Sequence, residues 1–359
     1  MVIVPVPAIK GNATGTMEAV SGISSLYNRI PSIISIARKK ITIDPAIAND
    51  PTSTPNVYVT GIESNGTKNV AKIWKNGTPT NLTDGNFNAT GYSVFVTGSD
   101  VYVAGYENNA SGALPKVWKN GTATTLSNVA GTYAYSVFVS GADVYVAGEE
   151  DLPTNRVARL WKNGTSVPFT GSTTSSFASS VYVSGADVFI GGVNFSPMNI
   201  SNAMTWKNGT MATLTNVYGV IYSVFASGSD LYAVGVEKPG AITLAKIWKN
   251  GVGTSLTDGT NTSAAYSVFV SGTDVYVAGS EKIGTKFVAK IWKNGVGTSL
   301  TDGTNNAEAR SVYFSGSDVY VAGYENNGTK DVAKVWKNGI VTSLTNGTNW
   351  AAANSVFVK

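Results

Sequence analysis

Short runs of apolar and polar residues in strict alternation recur along most of the chain, each broken by Gly, Asn or Asp. Period-two alternation bounded by turn residues predicts half-buried β-strands. The last full copy shows the unit. Ser311-Val312-Tyr313-Phe314 ends at the turn Gly316-Ser317-Asp318. Val319-Tyr320-Val321-Ala322-Gly323 follows and runs into the polar loop Glu325-Asn326-Asn327-Gly328-Thr329. Ala333-Lys334-Val335-Trp336 is closed by Asn338-Gly339, and Val341-Thr342-Ser343-Leu344 is the fourth run. Asn-Gly suits the tight two-residue hairpin because both residues tolerate positive φ. No helical periodicity enters the unit.

Trp-Lys-Asn-Gly begins at Trp74, Trp118, Trp161, Trp206, Trp248, Trp292 and Trp336, at spacings of 44, 43, 45, 42, 44 and 44 residues. Seven copies at this period fit four-stranded propeller blades of ~40–50 residues. The first copy opens at its second strand, Val57-Tyr58-Val59-Thr60-Gly61, and the chain stops after an unpartnered Ser355-Val356-Phe357-Val358. Pairing the two closes the ring and removes its free sheet edges. The sequence thus predicts an all-β fold over residues 56–359, a seven-bladed β-propeller of four-stranded blades whose C-terminal strand completes the first blade. Residues 1–55 differ. Ile23, Leu26, Tyr27, Ile30, Ile34 and Ala37 fall at helical spacing, Pro31 would kink that helix, Ile41-Thr42-Ile43 is a candidate strand, and a Pro-rich linker begins near 44. This short α/β-like extension is expected to cap the propeller or to dock an assembly partner.

The repeated Val-Tyr-Val-Ala-Gly and Val-Trp-Lys-Asn-Gly units over 56–359 resemble the repeat propellers of secreted or surface-attached bacterial proteins. The units lack the Gly-His and Trp-Asp pairs of WD40 repeats, the double-glycine signature of kelch repeats and the Asp-rich calcium loops of integrin-type propellers. The resemblance implies an extracellular or cell-surface location and a surface-binding role.

Composition narrows the chemistry. The chain has neither His nor Cys, which excludes Ser-His-Asp and Cys-His catalysis, imidazole or thiolate metal sites and disulfides. The net charge of +4 is small for 359 residues, and the one dense basic cluster is Arg38-Lys39-Lys40, so no nucleic-acid partner is expected. No apolar run approaches a membrane span, and the first residues carry no signal-peptide pattern. No cofactor or metal is expected, and the chain reads as non-enzymatic.

Most of the repeated residues read as structure. The seven tryptophans are expected to pack between blades. The lysines after them (Lys75, Lys119, Lys162, Lys207, Lys249, Lys293 and Lys337) would make a positive rim of ordinary solubility chemistry. A recurring Glu (Glu63, Glu107, Glu149, Glu237, Glu281 and Glu325) is matched by Lys72, Lys116, Arg159, Lys246, Lys290 and Lys334. In the fourth blade the two positions read Asn194 and Thr205, so both charges vanish together, as expected of a cross-strand ion pair. The Asp of each Gly-x-Asp turn reads as a turn cap, and the Asn-Gly-Thr sequons read as hairpins.

Copies differ mainly in the loops between second and third strands and in the crossovers between blades, which share one face. Binding commonly sits on such variable loops. On that face the residues before the innermost strands, Tyr92, Tyr135, Ser179, Tyr222, Tyr266, Arg310 and Asn354, should line the mouth of the central channel. Tyr and Arg combine contact area with directed polar groups, which points to a glycan or protein ligand. Two other functions fit the sequence: a structural component of a surface assembly docked through residues 1–55, and a glycan-cleaving enzyme. The enzyme would need two carboxylates at the mouth, and Glu150, Asp151 and Glu308 lie on that face but in different blades.

Overall fold

Residues 54–167, 175–196 and 200–359 are described by a computed structural model. The helix and strand expected within residues 1–53 lie outside them. Among the described residues the strands form seven four-stranded antiparallel sheets. The second blade is typical: Ala89–Thr97, Asp100–Asn109, Gly112–Lys119 and Thr122–Thr125 run from the innermost strand to the outermost. The first blade is assembled from both chain ends, with Ala351–Val358 innermost beside Val57–Ser64, Asn69–Lys75 and Thr78–Asn81. Asn56 and Lys359 exchange backbone hydrogen bonds of 2.6 and 2.9 Å at this seam.

Three circular networks hold blade to blade. The seven tryptophans are at most 2 % exposed, and Trp118, for example, packs on Ala71 of the preceding blade together with Ala89, Val94 and Val103. On the innermost strands a serine in each blade accepts a backbone N–H from a neighbouring blade at 3.1–3.3 Å. This circuit includes the seam, through Val356 N–H to Ser311 and Val94 N–H to Ser355. Two residues further along, Phe95, Phe138, Tyr182, Phe225, Phe269, Tyr313 and Phe357 form an unbroken belt around the channel, with neighbouring ring centroids 4.6–5.0 Å apart. Tilted aromatic pairs at such distances add roughly 0.5–1.5 kcal/mol each beyond their burial.

On the hairpin face the turns lock together. Each Asn of an Asn-Gly turn sits at φ of 49–52°, the left-handed region, and its Oδ1 accepts a backbone N–H at the start of the second strand, that of Val57 in the first blade and of the residue after the Asp in the others. In six blades its Nδ2 donates to the Asp of the neighbouring turn at 2.7–2.9 Å. The same Asp holds the lysine that follows the Trp at 2.7–2.8 Å, and hydrogen bonds from Lys and Asn keep its carboxyl below the usual range. The aspartates are therefore cross-turn clamps as well as turn residues. The positive rim is neutralised pair by pair, except at Lys75, where Asn56 stands in the Asp position.

The expected Glu–Lys pairs form, with a correction in two blades. Lys72 meets Glu63 at 2.6 Å, Lys116 meets Glu107 at 3.8 Å and Lys334 meets Glu325 at 3.6 Å, while Lys246 and Lys290 pair with Glu237 and Glu281. In the third blade the partner of Arg159 is Glu150, at 2.5 Å, and Glu149 is not part of the series. Register explains the difference. Gly148 faces Arg159 and Glu149 faces Ala158, one residue short, and a one-residue shift turns a side chain to the other face of the sheet. By the same register the basic position of the fourth blade is Met204, opposite Gly192, rather than Thr205.

Candidate functional site

The seven residues expected at the channel mouth share one backbone feature. Tyr92, Tyr135, Ser179, Tyr222, Tyr266, Arg310 and Asn354 are each the extra residue at a register shift between the innermost and second strands. A bulge leaves one residue unpaired and re-aims its side chain. Opposite every bulge stands the glycine that ends the Val-Tyr-Val-Ala-Gly run. A Cβ there would lie 1.9–2.1 Å from a carbonyl oxygen of the bulged strand. The glycine is thus required by close approach and not by its dihedral angles.

All seven line one cavity of about 450 Å³, joined by Phe177 and Glu308. The belt residues lie three positions further along each strand toward the hairpin face, so the cavity narrows into an aromatic throat. Around the cavity the chemistry is asymmetric. One arc is aromatic: Tyr92 packs on Tyr135 at 5.4 Å, Tyr135 on Phe177 at 6.3 Å and Tyr222 on Tyr266 at 5.5 Å between centroids. The other arc, from blades seven and one, is polar. Arg310 donates through Nε to Glu308 at 3.1 Å and through Nη1 to Asn354 Oδ1 at 2.8 Å, with its guanidinium 4.7 Å from the Tyr324 ring centroid. Asn354 donates in turn to the Gly91 carbonyl at 2.9 Å, and Tyr266 donates to Glu308 at 3.4 Å.

Burial pushes the phenols of Tyr92, Tyr135 and Tyr266 well above the ordinary tyrosine range and that of Tyr222 up to about 12. All four are donors at neutral pH. Tyr135 spends its proton on Glu149 at 2.8 Å. Among the described residues no protein acceptor takes the hydroxyl proton of Tyr92 or Tyr222. The Ser179 hydroxyl lies against the carbonyls of Gly191 and Ile221, so its single proton is committed to the wall.

Two further residues line the cavity: Glu308, which the sequence put on this face but not at the mouth, and Phe177, which it did not single out. Phe177 and Glu308 each stand two residues before a bulge residue, and strand alternation brings them to the same side. The signal was Ser179 itself, whose small side chain leaves room that Phe177 enters. Glu149, displaced from the ion-pair series, is 3 % exposed behind Tyr135, with Arg156 Nη1 at 3.5 Å. Burial raises its carboxyl above the usual range, against the opposing pull of Tyr135 and Arg156. A carboxyl raised on folding favours the folded state at low pH, and that advantage is lost as pH rises through the folded value. Glu149→Gln is therefore expected to match the parent melting temperature near pH 4.5 and to exceed it at pH 8. Equal melting temperatures at both pH values would show that Arg156 and Tyr135 compensate the buried charge in full.

Among the described residues no group of three or more Asp or Glu is placed to hold a metal ion, and no helix is long and apolar enough to cross a membrane. No family model matches the chain, and no curated protein matches it in sequence. Solved structures match it in shape. A puromycin-hydrolyzing peptidase of Mycobacterium tuberculosis has a TM-score of 0.56 at 13 % identity, covering 81 % of this chain and 53 % of its own. The acylaminoacyl peptidase of Pyrococcus horikoshii has a TM-score of 0.52 at 13 % identity, covering 82 % of this chain and 52 % of its own. The chain is a seven-bladed β-propeller. It spans about half the length of either peptidase, and likeness at this identity extends to the fold alone.

Proposed function

We propose that the propeller is a non-enzymatic recognition module, displayed outside the cell or on its surface, that binds a glycan segment in the channel-mouth cavity. The observation that carries this reading is the pairing of an aromatic arc with a polar arc in one cavity. Tyrosine faces stack on the C–H faces of sugar rings, while the free hydroxyls of Tyr92 and Tyr222, with Arg310 and Asn354, suit sugar hydroxyls. The volume falls within the ~300–1,000 Å³ of small-ligand pockets. Recognition is favoured over glycan cleavage because each carboxylate near the cavity already has protein partners: Tyr135 and Arg156 for Glu149, Tyr266 and Arg310 for Glu308.

The test is a broad glycan array followed by titration of the hits. Tyr222→Ser gives the fifth blade the residue that the fourth carries at the same bulge, so the ring is expected to keep its melting temperature within a few degrees. Affinity is expected to fall at least tenfold, about 1.4 kcal/mol. A blank array, or a Tyr222→Ser variant that binds like the parent, would remove the cavity from consideration as a glycan site.

A further inference from the structure

We infer that the cavity selects uncharged carbohydrate and rejects acidic sugars, and that Glu308 is the residue that sets this preference. The inference rests on the glycan reading of the cavity and adds its substrate class. An unpaired arginine in an aromatic cavity is a natural carboxylate receptor, because the planar guanidinium offers two N–H groups along each edge. In Arg310 two donors are already in use. Nε donates to Glu308 Oε2, which occupies the edge that Nε shares with Nη2, and Nη1 donates to Asn354 Oδ1. The flat face lies on Tyr324. The N–H groups that remain suit a hydroxyl or an acetamido oxygen.

Charge points the same way. Among the residues that line the cavity, Glu308 balances Arg310, so an entering anion meets no net positive charge. On the opposite side Glu149 lies behind Tyr135, faced by Arg156, which is itself shared with Asp151 at 3.6 Å. A carboxylate placed against Arg310 would approach the Glu308 carboxylate within the same contact shell, and like charges in a low-dielectric cavity repel strongly. Neutral sugars incur no such penalty and can accept from Arg310 while donating to Glu308. The pair is thus a ready donor–acceptor site for adjacent hydroxyls.

The experiment uses the full chain and two probe series of matched length: oligosaccharides ending in neutral hexose or N-acetylhexosamine, and the same cores ending in hexuronic or sialic acid. The parent protein is expected to bind members of the neutral series and to bind their acidic counterparts at least tenfold more weakly. Glu308→Gln removes the carboxylate while keeping size and hydrogen-bonding capacity, and is expected to raise the acidic-to-neutral affinity ratio at least tenfold. Adding Arg310→Gln to that variant is expected to abolish the gained acid binding. Parent protein that binds both series equally overturns the inference and leaves the glycan reading standing, as does an unchanged ratio in Glu308→Gln. Failure of both series to bind overturns the glycan reading and this inference with it.

Discussion

Removal of residues 355–359 is expected to abolish the cooperative unfolding transition of the propeller. These five residues are a small part of the chain, but they close it. Val356 and Val358 are each 3 % exposed, and Phe357 bridges Tyr313 and Phe95 in the channel belt at 4.7 and 5.0 Å. Burial of three such side chains contributes roughly 1.5–3 kcal/mol each. The truncation also removes the backbone pair between Asn56 and Lys359 and two members of the interblade serine circuit, at about 1 kcal/mol per hydrogen bond. The sum is of the same order as the ~5–15 kcal/mol that separates folded from unfolded states in ordinary domains. What is left behind is also unfavourable, since the second strand of the first blade would present an unpaired edge next to an open seam. Near-ultraviolet circular dichroism during a thermal scan is the direct measurement. A sharp transition within about 5 °C of the full chain would show that the ring holds without the second half of its closing strand.

The same seam shows how much of the fold could be read from residues alone. Strand alternation, Asn-Gly hairpins and the Trp period gave the blades, and the orphan Ser355–Val358 run gave the closure, because each of these signals is local and repeats seven times. The channel residues were legible for the same reason, as one position per copy. Pairing register was harder. Comparison of the copies put Glu149 with Arg159, whereas counting from Gly148, opposite the bulge, puts Glu150 there and turns Glu149 toward Tyr135. Thr205 was misplaced for the same reason, and Met204 holds the position. Phe177 was missed, and Glu308 was put on the right face but not in the cavity, because both enter it only once the bulge has set which side of the strand faces inward. The bulge itself left a trace in every copy, a glycine where β-propensity favours a larger residue, but its meaning depends on the opposing strand.

That glycine carries the second large expected effect. Gly105→Ala is expected to destabilise the propeller by about 3 kcal/mol or more, although it adds one methyl group. The new Cβ would lie 1.9 Å from the Thr90 carbonyl oxygen and 2.9 Å from its carbon, both backbone atoms that no rotamer change can move. Relief requires the innermost strand of the second blade to shift by more than an ångström, at the cost of its pairing with the second strand or of the bulge at Tyr92. Gly66→Ala is the matched control. Gly66 has a φ of 98° with open space around it, so alanine there meets only the left-handed backbone penalty of about 1–2 kcal/mol. Urea unfolding of the two variants separates crowding from dihedral strain: the Gly105 variant should lose at least twice as much stability as the Gly66 variant. Under the glycan proposal it should also lose glycan affinity, because flattening the bulge turns Tyr92 away from the cavity. Equal stability losses would mean that the blade absorbs the methyl group without moving its bulge. The glycine would then owe its place in all seven copies to something other than the close approach of the two strands.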